Sequence, residues 1–181
     1  MSEKVMIMSF ESESSAFQAF SEIKLLHTSG KIKGEQMAVL KHEPNHKLQP
    51  IDFIDFTGAD KSMKGSLIGI LVGILAGPLG ILLGWYTGSL IGGYQDTREV
   101  KDALTIFDET INLIPEGSTG AILIAEEEKI GHLNDLVIDK LNGNIKRLEK
   151  ERVEMEIEEA IKVEGETKKT AKEKWKNRKN K

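Results

Sequence analysis

The chain contains no cysteine, which excludes disulfide frameworks, thiol catalysis and cysteine-ligated metal sites. It also lacks a strong charge of either sign: 25 basic and 29 acidic residues give a formal net charge of −4 at pH 7. This balance argues against a nucleic-acid-binding surface that extends over the whole protein. The most informative absence is local, because residues 65–95 contain no Asp, Glu, Lys or Arg although charged residues make up 30% of the chain.

The uncharged segment has a regular glycine spacing. Glycine recurs at every fourth position in two series that Pro78 separates, namely Gly65, Gly69, Gly73 and Gly77, and then Gly80, Gly84, Gly88 and Gly92. Residues four apart lie on one face of a helix, so each series predicts a helix with a flat groove flanked by Leu, Ile and Val. Glycine costs about 1 kcal/mol per helical position in water. Two such helices therefore need surroundings that reward close backbone approach.

A lipid bilayer provides these surroundings, because small residues let helices pack closely there and every backbone group must be hydrogen-bonded. We therefore predict a membrane-inserted helical hairpin over residues 61–95, with its turn at Pro78 and the eight glycines as the packing and oligomerisation surface. One alternative is a soluble homo-oligomer that buries the hairpins in a shared core. A pore is another, although only Ser66, Thr87 and Ser89 offer polar side chains to a lumen.

Aromatic and basic residues mark the ends of the predicted hairpin. Trp85 and Tyr86 lie near the tip and Tyr94 near the base, as expected for two interfacial belts. Lys61 and Lys64 precede the segment and further basic residues follow it, which favours a cytoplasmic base. Each arm of about 13–15 residues would be about 20–22 Å long. That is shorter than the hydrocarbon core of about 30 Å, so the depth of insertion stays open.

The segments that flank the hairpin repeat a strand–helix–strand order. Turn residues and apolar spacing predict strands at 4–10, 36–40, 51–56, 119–125 and 144–148, and helices at 16–26, 96–113 and 128–141. Two strand–helix–strand halves form a four-stranded antiparallel sheet with two helices on one face, which is the ferredoxin-like plan. We therefore predict an α+β, ferredoxin-like domain that the glycine hairpin interrupts.

The two halves of this domain must meet on one side of the membrane, because neither has enough strands to fold alone. This predicts an insert that enters the bilayer and returns, with both soluble halves in the cytoplasm and the hairpin in the membrane. The first half spans 1–60, the hairpin 61–95, and the connecting helix with the second half 96–148. A charged helical or disordered tail spans 149–181.

The tail changes its charge along its length. Residues 147–166 hold eight acids and four bases. Within them, residues 149–164 predict a solvated helix with a thin apolar stripe at Val153, Ile157, Ala160 and Ile161. Residues 168–181 hold eight bases and one acid. Such a segment adheres to anionic lipid, binds nucleic acid nonspecifically, or solubilises the protein as a disordered tail. The candidate lipid-contacting residues are Lys168, Lys169, Lys172, Lys174, Trp175, Lys176, Arg178 and Lys179.

Catalytic and metal-binding patterns are weak in this sequence. His42 and His46 are four residues apart but fall in a turn that contains Pro and Asn, and no basic or nucleophilic residue stands beside Asp52 and Asp55. The GxxxxGK[ST] and GxSxG motifs are absent. The letters HEPNH at 42–46 match HExxH, but that motif needs a helix and these residues form the turn with Pro and Asn. We therefore predict a non-enzymatic protein with no cofactor and no metal, and keep a ligand-sensing module as an alternative.

The order of these elements resembles the bacterial membrane-protein family known as domain of unknown function twelve-sixty-nine. The shared features are the strand KVMIMSF with the helix at 16–26, the strand QMAVLKHE, the glycine hairpin at 65–92, the segment IPEGSTGAILIA and a closing helix with Gly143. The resemblance covers residues 4–148, and the tail is longer than the family pattern. It implies a location in a bacterial inner membrane and self-assembly, and it implies no catalytic residues.

Together these features predict a membrane-associated homo-oligomer. Its expected partners are the lipid bilayer and further copies of the same chain. No specific nucleic-acid partner is expected, and no small-molecule ligand is identified.

Overall fold

A five-stranded antiparallel sheet forms the centre of the computed structural model, which describes residues 2–44, 48–59, 62–76, 105–162 and 165. The strand order across the sheet is β3-β2-β4-β1-β5, and each neighbouring pair is antiparallel. The strands are β1 (Lys4–Phe10), β2 (Ile32–His42), β3 (Leu48–Asp55), β4 (Thr119–Glu127) and β5 (Asn144–Glu149).

Helices cover both faces of this sheet. Within the described ranges they are α1 (Glu13–Thr28), α2 (Leu67–Leu75), α3 (Thr105–Leu113), α4 (Gly131–Asn134) and α5 (150–162). A short 3-10 turn, Met63–Gly65, precedes α2, and α4 continues as a π-helical segment, Asp135–Lys140. In that segment the Leu141 N–H donates to the Leu136 carbonyl at 3.1 Å, five residues back.

The central strands are apolar on both sides because each sheet face is covered. In β1, Val5 and Ile7 belong to one buried cluster, whereas Met6 and Met8 belong to the other. Successive side chains of a strand point to opposite faces, so an uninterrupted apolar run fits a strand buried on both sides. The predicted strand at 4–10 is confirmed, and the strand predicted at 119–125 continues for two more residues.

Helix α1 and the α4 region cover the first face of the sheet. The Ser12 hydroxyl accepts a hydrogen bond from the Ser15 N–H at 3.2 Å and so caps the start of α1. The end of α1 lies just before Gly30, whose φ of 74° favours glycine. Between these ends, Phe20 and Ile23 pack on the sheet together with Leu133 from α4. This face has the two helices that the sequence predicts.

Helices α2, α3 and α5 cover the second face, which the sequence prediction left open. Val153, Ile157 and Ala160 of α5 are buried there, so the prediction of a solvated helix over 149–164 is wrong for three of its four apolar residues. The stripe packs because the second face is itself apolar and burial removes both surfaces from water. Only the fourth residue, Ile161, is exposed, at 49%.

Helix α2 also packs on this second face. The prediction of a separate membrane unit over 61–95 does not include this contact with the sheet. The apolar stripe of α2 suits an apolar sheet as well as it suits lipid, because both exclude water. The buried side chains of α2 therefore belong to the core of the sheet domain in this structure.

The strand order is consistent with a ferredoxin-like fold. Strands β5, β1, β4 and β2 follow the order of that plan, with α1 and α4 on one face. Strand β3 is added at the edge beside β2, and the pairing of these two strands shifts in register between Val39 and Leu40. Pro50 of β3 lies opposite Leu40, and proline within a sheet is typical of edge strands.

Candidate membrane-facing helix

Helix α2 carries Gly69 and Gly73 of the first glycine series and begins at a serine cap. The Ser66 hydroxyl accepts a hydrogen bond from the Gly69 N–H at 3.0 Å and donates one to the Met63 carbonyl at 2.6 Å. These bonds satisfy an amide at the helix start and connect α2 to the preceding 3-10 turn. Lys64 in that turn is exposed. Helix α2 therefore starts directly after a charged residue that stays in water.

The apolar side of α2 is buried within the domain. Ile68, Leu71 and Leu75 are each 1% exposed and belong to the cluster on the second sheet face. Their spacing of three and four residues places them on one side of the helix. Helix α2 contacts β2 and β3, so it covers the β3 end of the sheet. The side chains that the sequence assigns to lipid are thus covered by protein.

The described glycines of the first series differ in their surroundings. A Cβ atom on Gly69 would overlap the carbonyl oxygen of Met63, so glycine is required there by the 3-10 turn. Gly65 and Gly73 are exposed, and no described atom lies within 4 Å of a Cβ built on either of them. Ile70, which is 37% exposed, lies on the same helix. The outward side of α2 is therefore a flat and apolar surface around Gly73.

Helix α3 brings the chain back to the same face of the sheet. Ile106 and Phe107 are fully buried in the cluster that contains the α2 side chains. Helix α3 contacts β1 and β5, whereas α2 contacts β3 and β2. The two helices therefore lie on opposite halves of one face.

A buried carboxylate connects α5 to the first described turn of α3. Glu156 is 6% exposed, and its Oε2 accepts a hydrogen bond from the Ile106 N–H at 2.8 Å. The Nε atom of Arg152 donates to the other oxygen, Oε1, at 3.2 Å. Such charge-assisted bonds are stronger than bonds between neutral groups. Glu156 therefore positions α3 relative to α5.

An ion-pair network fixes the start of α5. The Nζ atom of Lys150 lies 2.7 Å from Glu3 Oε2 and 2.5 Å from Glu35 Oε2. The hydrogen bond from Lys150 lowers the pKa of Glu3 below its ordinary value of 4.5, against a smaller opposing effect of burial. Burial by itself would lower the pKa of Lys150, but the hydrogen bonds and charges of the two glutamates raise it above its ordinary value. The network thus holds α5 against β2 and the residue before β1.

A groove of about 850 Å³ lies between α1 and the α4 region on the other face of the sheet. Leu25, Leu26 and Leu136 form part of its lining. Glu22 and Lys140 form an ion pair of 2.7 Å at this groove, and the hydrogen bond from Lys140 lowers the pKa of Glu22. These two charged groups therefore join the helices on either side of the groove.

Three of the other polar residues that the sequence singles out, His42, Asp52 and Asp55, have structural partners, and His46 lies outside the described residues. The Nδ1–H of His42, a residue that is 2% exposed, donates to the Ile114 carbonyl at 2.7 Å. Asp55 accepts hydrogen bonds from the N–H and the hydroxyl of Thr57 at 2.9 and 2.6 Å, and Asp52 accepts from the next backbone N–H at 2.8 Å. In the part of the chain that the structure describes, no group of three or more His, Asp or Glu could hold a metal ion.

Most of the predicted packing and interface residues lie outside the described ranges, and the predictions about them stay predictions. They are Gly77, Gly80, Gly84, Gly88 and Gly92 of the glycine series, the turn residue Pro78, the interface residues Lys61, Trp85, Tyr86 and Tyr94, and the tail residues Lys168, Lys169, Lys172, Lys174, Trp175, Lys176, Arg178 and Lys179.

Sequence reasoning missed Lys150 and Glu156 as positioning residues. Glu156 adjoins the apolar residue Ile157, and a carboxylate at the border of an apolar stripe was the available signal. The partners of Lys150 are 147 and 115 residues away along the chain, so no local pattern reveals them.

Two findings complete the description of this candidate site. None of the helices in the described ranges has both the length and the apolar character that a bilayer crossing requires. Comparisons of the chain with family models, curated proteins and solved structures find no match. The family resemblance therefore stays a prediction from the motifs, and the function has to be argued from physical features.

Proposed function

We propose that this is a non-enzymatic, membrane-associated protein that self-assembles through its glycine-rich segment. The bilayer and further copies of the chain are its partners, and the sheet domain lies at the cytoplasmic surface of a bacterial inner membrane. The observation that carries this proposal is the outward side of α2, where Gly73 stands exposed in an uncharged segment with no described atom close to it.

Glycine at position 73 is unfavourable for the domain taken alone. It costs a helix about 1 kcal/mol relative to alanine, and the structure has room for a Cβ atom at this position. A second helix that packs against α2 would explain why glycine stands at this position, because small residues permit the closest approach of two helices. The regular spacing of the glycines on either side of Pro78 extends this surface along the segment.

The topology of the sheet domain supports an insert that enters the bilayer and returns. Helices α2 and α3 lie on one sheet face. In the sequence, α2 lies at the start of the uncharged segment and α3 follows its end. A single crossing would instead place the two halves of one sheet on opposite sides of a membrane. The charged side chains described above have structural roles in ion pairs and caps, which favours a binding or assembly role over catalysis.

Self-assembly is tested by adding a side chain to the glycine surface. Gly73→Leu blocks close backbone approach, so we expect smaller particles than wild type in detergent when the mass is measured by light scattering. Gly131→Leu is a matched control, because Gly131 is also an exposed helical glycine with room for a Cβ atom and it lies on the other side of the sheet. Equal masses for wild type and Gly73→Leu would disprove packing through this surface.

Membrane association is tested separately by flotation of the full chain with vesicles and by alkaline washing of membranes. We expect the protein to float with the lipid and to resist the wash. The second candidate function is a soluble homo-oligomer with the hairpins in a shared core, and burial of the α2 stripe by the domain's own sheet favours it. A stable oligomer that does not float would select this second function.

A further inference from the structure

The apolar side of α2 packs against the sheet. Ile68 and Leu71 share one buried cluster with Leu40 of β2 and with Ile122 and Ile124 of β4. All five buried residues of α2 are Ile, Leu or Val. A helix of this composition would expose a large apolar patch if it were uncovered in water. The sheet therefore keeps α2 out of water in the lipid-free protein.

Helix α2 lies toward one edge of the sheet. It contacts β2 and the edge strand β3, whereas α3 covers the half formed by β1 and β5. The remaining helices on this face have their own polar anchors. Lys150 connects α5 to Glu3 and Glu35, and Glu156 connects α5 to α3. The buried contacts of α2 come from apolar side chains, which hydrocarbon can replace.

We propose that α2 is stowed on the sheet in the lipid-free protein and moves into the bilayer when the protein binds a membrane. This inference rests on the proposed membrane function and adds the change of conformation that goes with it. Lipid tails are as apolar as leucine, so the α2 side chains lose little when they leave the protein core for hydrocarbon. A bilayer therefore removes the cost that water imposes on the released state, and water favours the stowed state.

The proposal is tested by methyl NMR on the unmodified full chain. Ile and Leu methyl groups are labelled with ¹³C, and spectra are recorded in water and in nanodiscs of phosphatidylethanolamine and phosphatidylglycerol that contain a lipid with a nitroxide on its acyl chain. We expect the nitroxide to broaden the Ile68 and Leu71 signals. The Leu123 signal is the internal control, because Leu123 is fully buried under α1 on the other sheet face and should stay sharp.

The outcomes separate this inference from the proposed function. Broadening of Ile68 and Leu71 without broadening of Leu123 supports release of α2. If the chain binds nanodiscs and the Ile68 and Leu71 signals stay sharp, α2 remains stowed, and the inference fails while the membrane function stands. If the chain does not bind nanodiscs, both fail. Broadening of all three signals would mean that the domain unfolds on lipid, which also overturns release of α2 alone.

Discussion

Two glycines of one helix illustrate how the same residue type serves different purposes. Gly69 is needed inside the domain, because the Met63 carbonyl occupies the place of its side chain. Gly73 faces open space, so the domain itself does not require it. The spacing in the sequence treats both as members of one packing surface. The two positions differ because the 3-10 turn before α2 places a carbonyl group beside Gly69 and none beside Gly73.

Alanine substitutions should therefore change stability in opposite directions. We expect Gly73→Ala to raise the free energy of unfolding by about 0.5–1 kcal/mol, because alanine favours a helix and has room here. Gly69→Ala should lower it by about 1–3 kcal/mol through overpacking against the turn. Urea unfolding of both variants without lipid measures the difference. A loss of stability in Gly73→Ala would show that this surface is covered in the lipid-free protein.

At the scale of elements, α5 is a core helix with one solvated side. Ile157 is 3% exposed and Ile161 is 49% exposed, although both are isoleucines one turn apart on the same helix. The sequence predicts the helix and its stripe, because these depend on local spacing. It does not predict that the stripe is buried, because that depends on the second face of a sheet whose strands come from distant parts of the chain.

This pair of isoleucines provides a matched test of how α5 packs. Ile157→Ala removes buried methyl groups and should cost about 2–4 kcal/mol, whereas Ile161→Ala should cost less than about 1 kcal/mol. Chemical denaturation followed by far-UV circular dichroism measures both. Similar losses in the two variants would contradict the packing of α5 on the sheet.

Strands and helices were predictable to different degrees for physical reasons. Strand β1 is confirmed at both ends, because its apolar run is bounded by polar residues. Strand β2 extends to Ile32–His42, beyond the predicted 36–40, because its polar end residues pair with β4 and β3 in the sheet. Such pairing satisfies the hydrogen-bonding groups of the backbone, whatever side chain a residue carries. The helix predicted at 128–141 divides into an α-helical and a π-helical part, which apolar spacing does not distinguish.

For the whole molecule, the Lys150 network predicts how stability depends on pH. The pKa of Glu3 is lowered in the folded protein, so the unfolded chain binds more protons as the pH falls below 4.5, and the stabilisation is lost through that range. The pKa of Lys150 is raised, so its contribution is complete below 10.5 and is lost as the pH rises above that value. Stability should therefore be greatest between these limits.

The acid limb of this profile is tested with Glu3→Gln. This variant should be less stable than wild type at neutral pH, and its stability should fall less steeply between about pH 5 and pH 3, because the shifted carboxyl group is gone. The free energy of unfolding in urea at each pH provides the measurement. Glu158→Gln, at an exposed position of α5, is the control. Equal acid slopes for wild type and Glu3→Gln would show that the Glu3–Lys150 pair does not form in solution.

The candidate site was predictable only in part at this same scale. The glycine spacing, the uncharged run and the start of a helix in it are local features that the sequence displays. Helix α2 presents its apolar side to the sheet and Gly73 to the outside because β2 and β4 build the core on which it packs. These two strands lie on either side of the segment in the chain. Packing between residues that are far apart in the chain produces no periodic pattern in the sequence.

The edge strand β3 limits how copies of this chain can associate. Pro50 offers no backbone N–H to an incoming strand, and the carboxylates of Asp52 and Asp55 on the same strand would repel an identical copy. Lateral growth of the sheet into ribbons or fibrils is therefore obstructed on this side. Copies that meet through the faces of helices would not extend the sheet, so a chain with a long uncharged, apolar segment could be produced without the usual hazard of amyloid-like stacking.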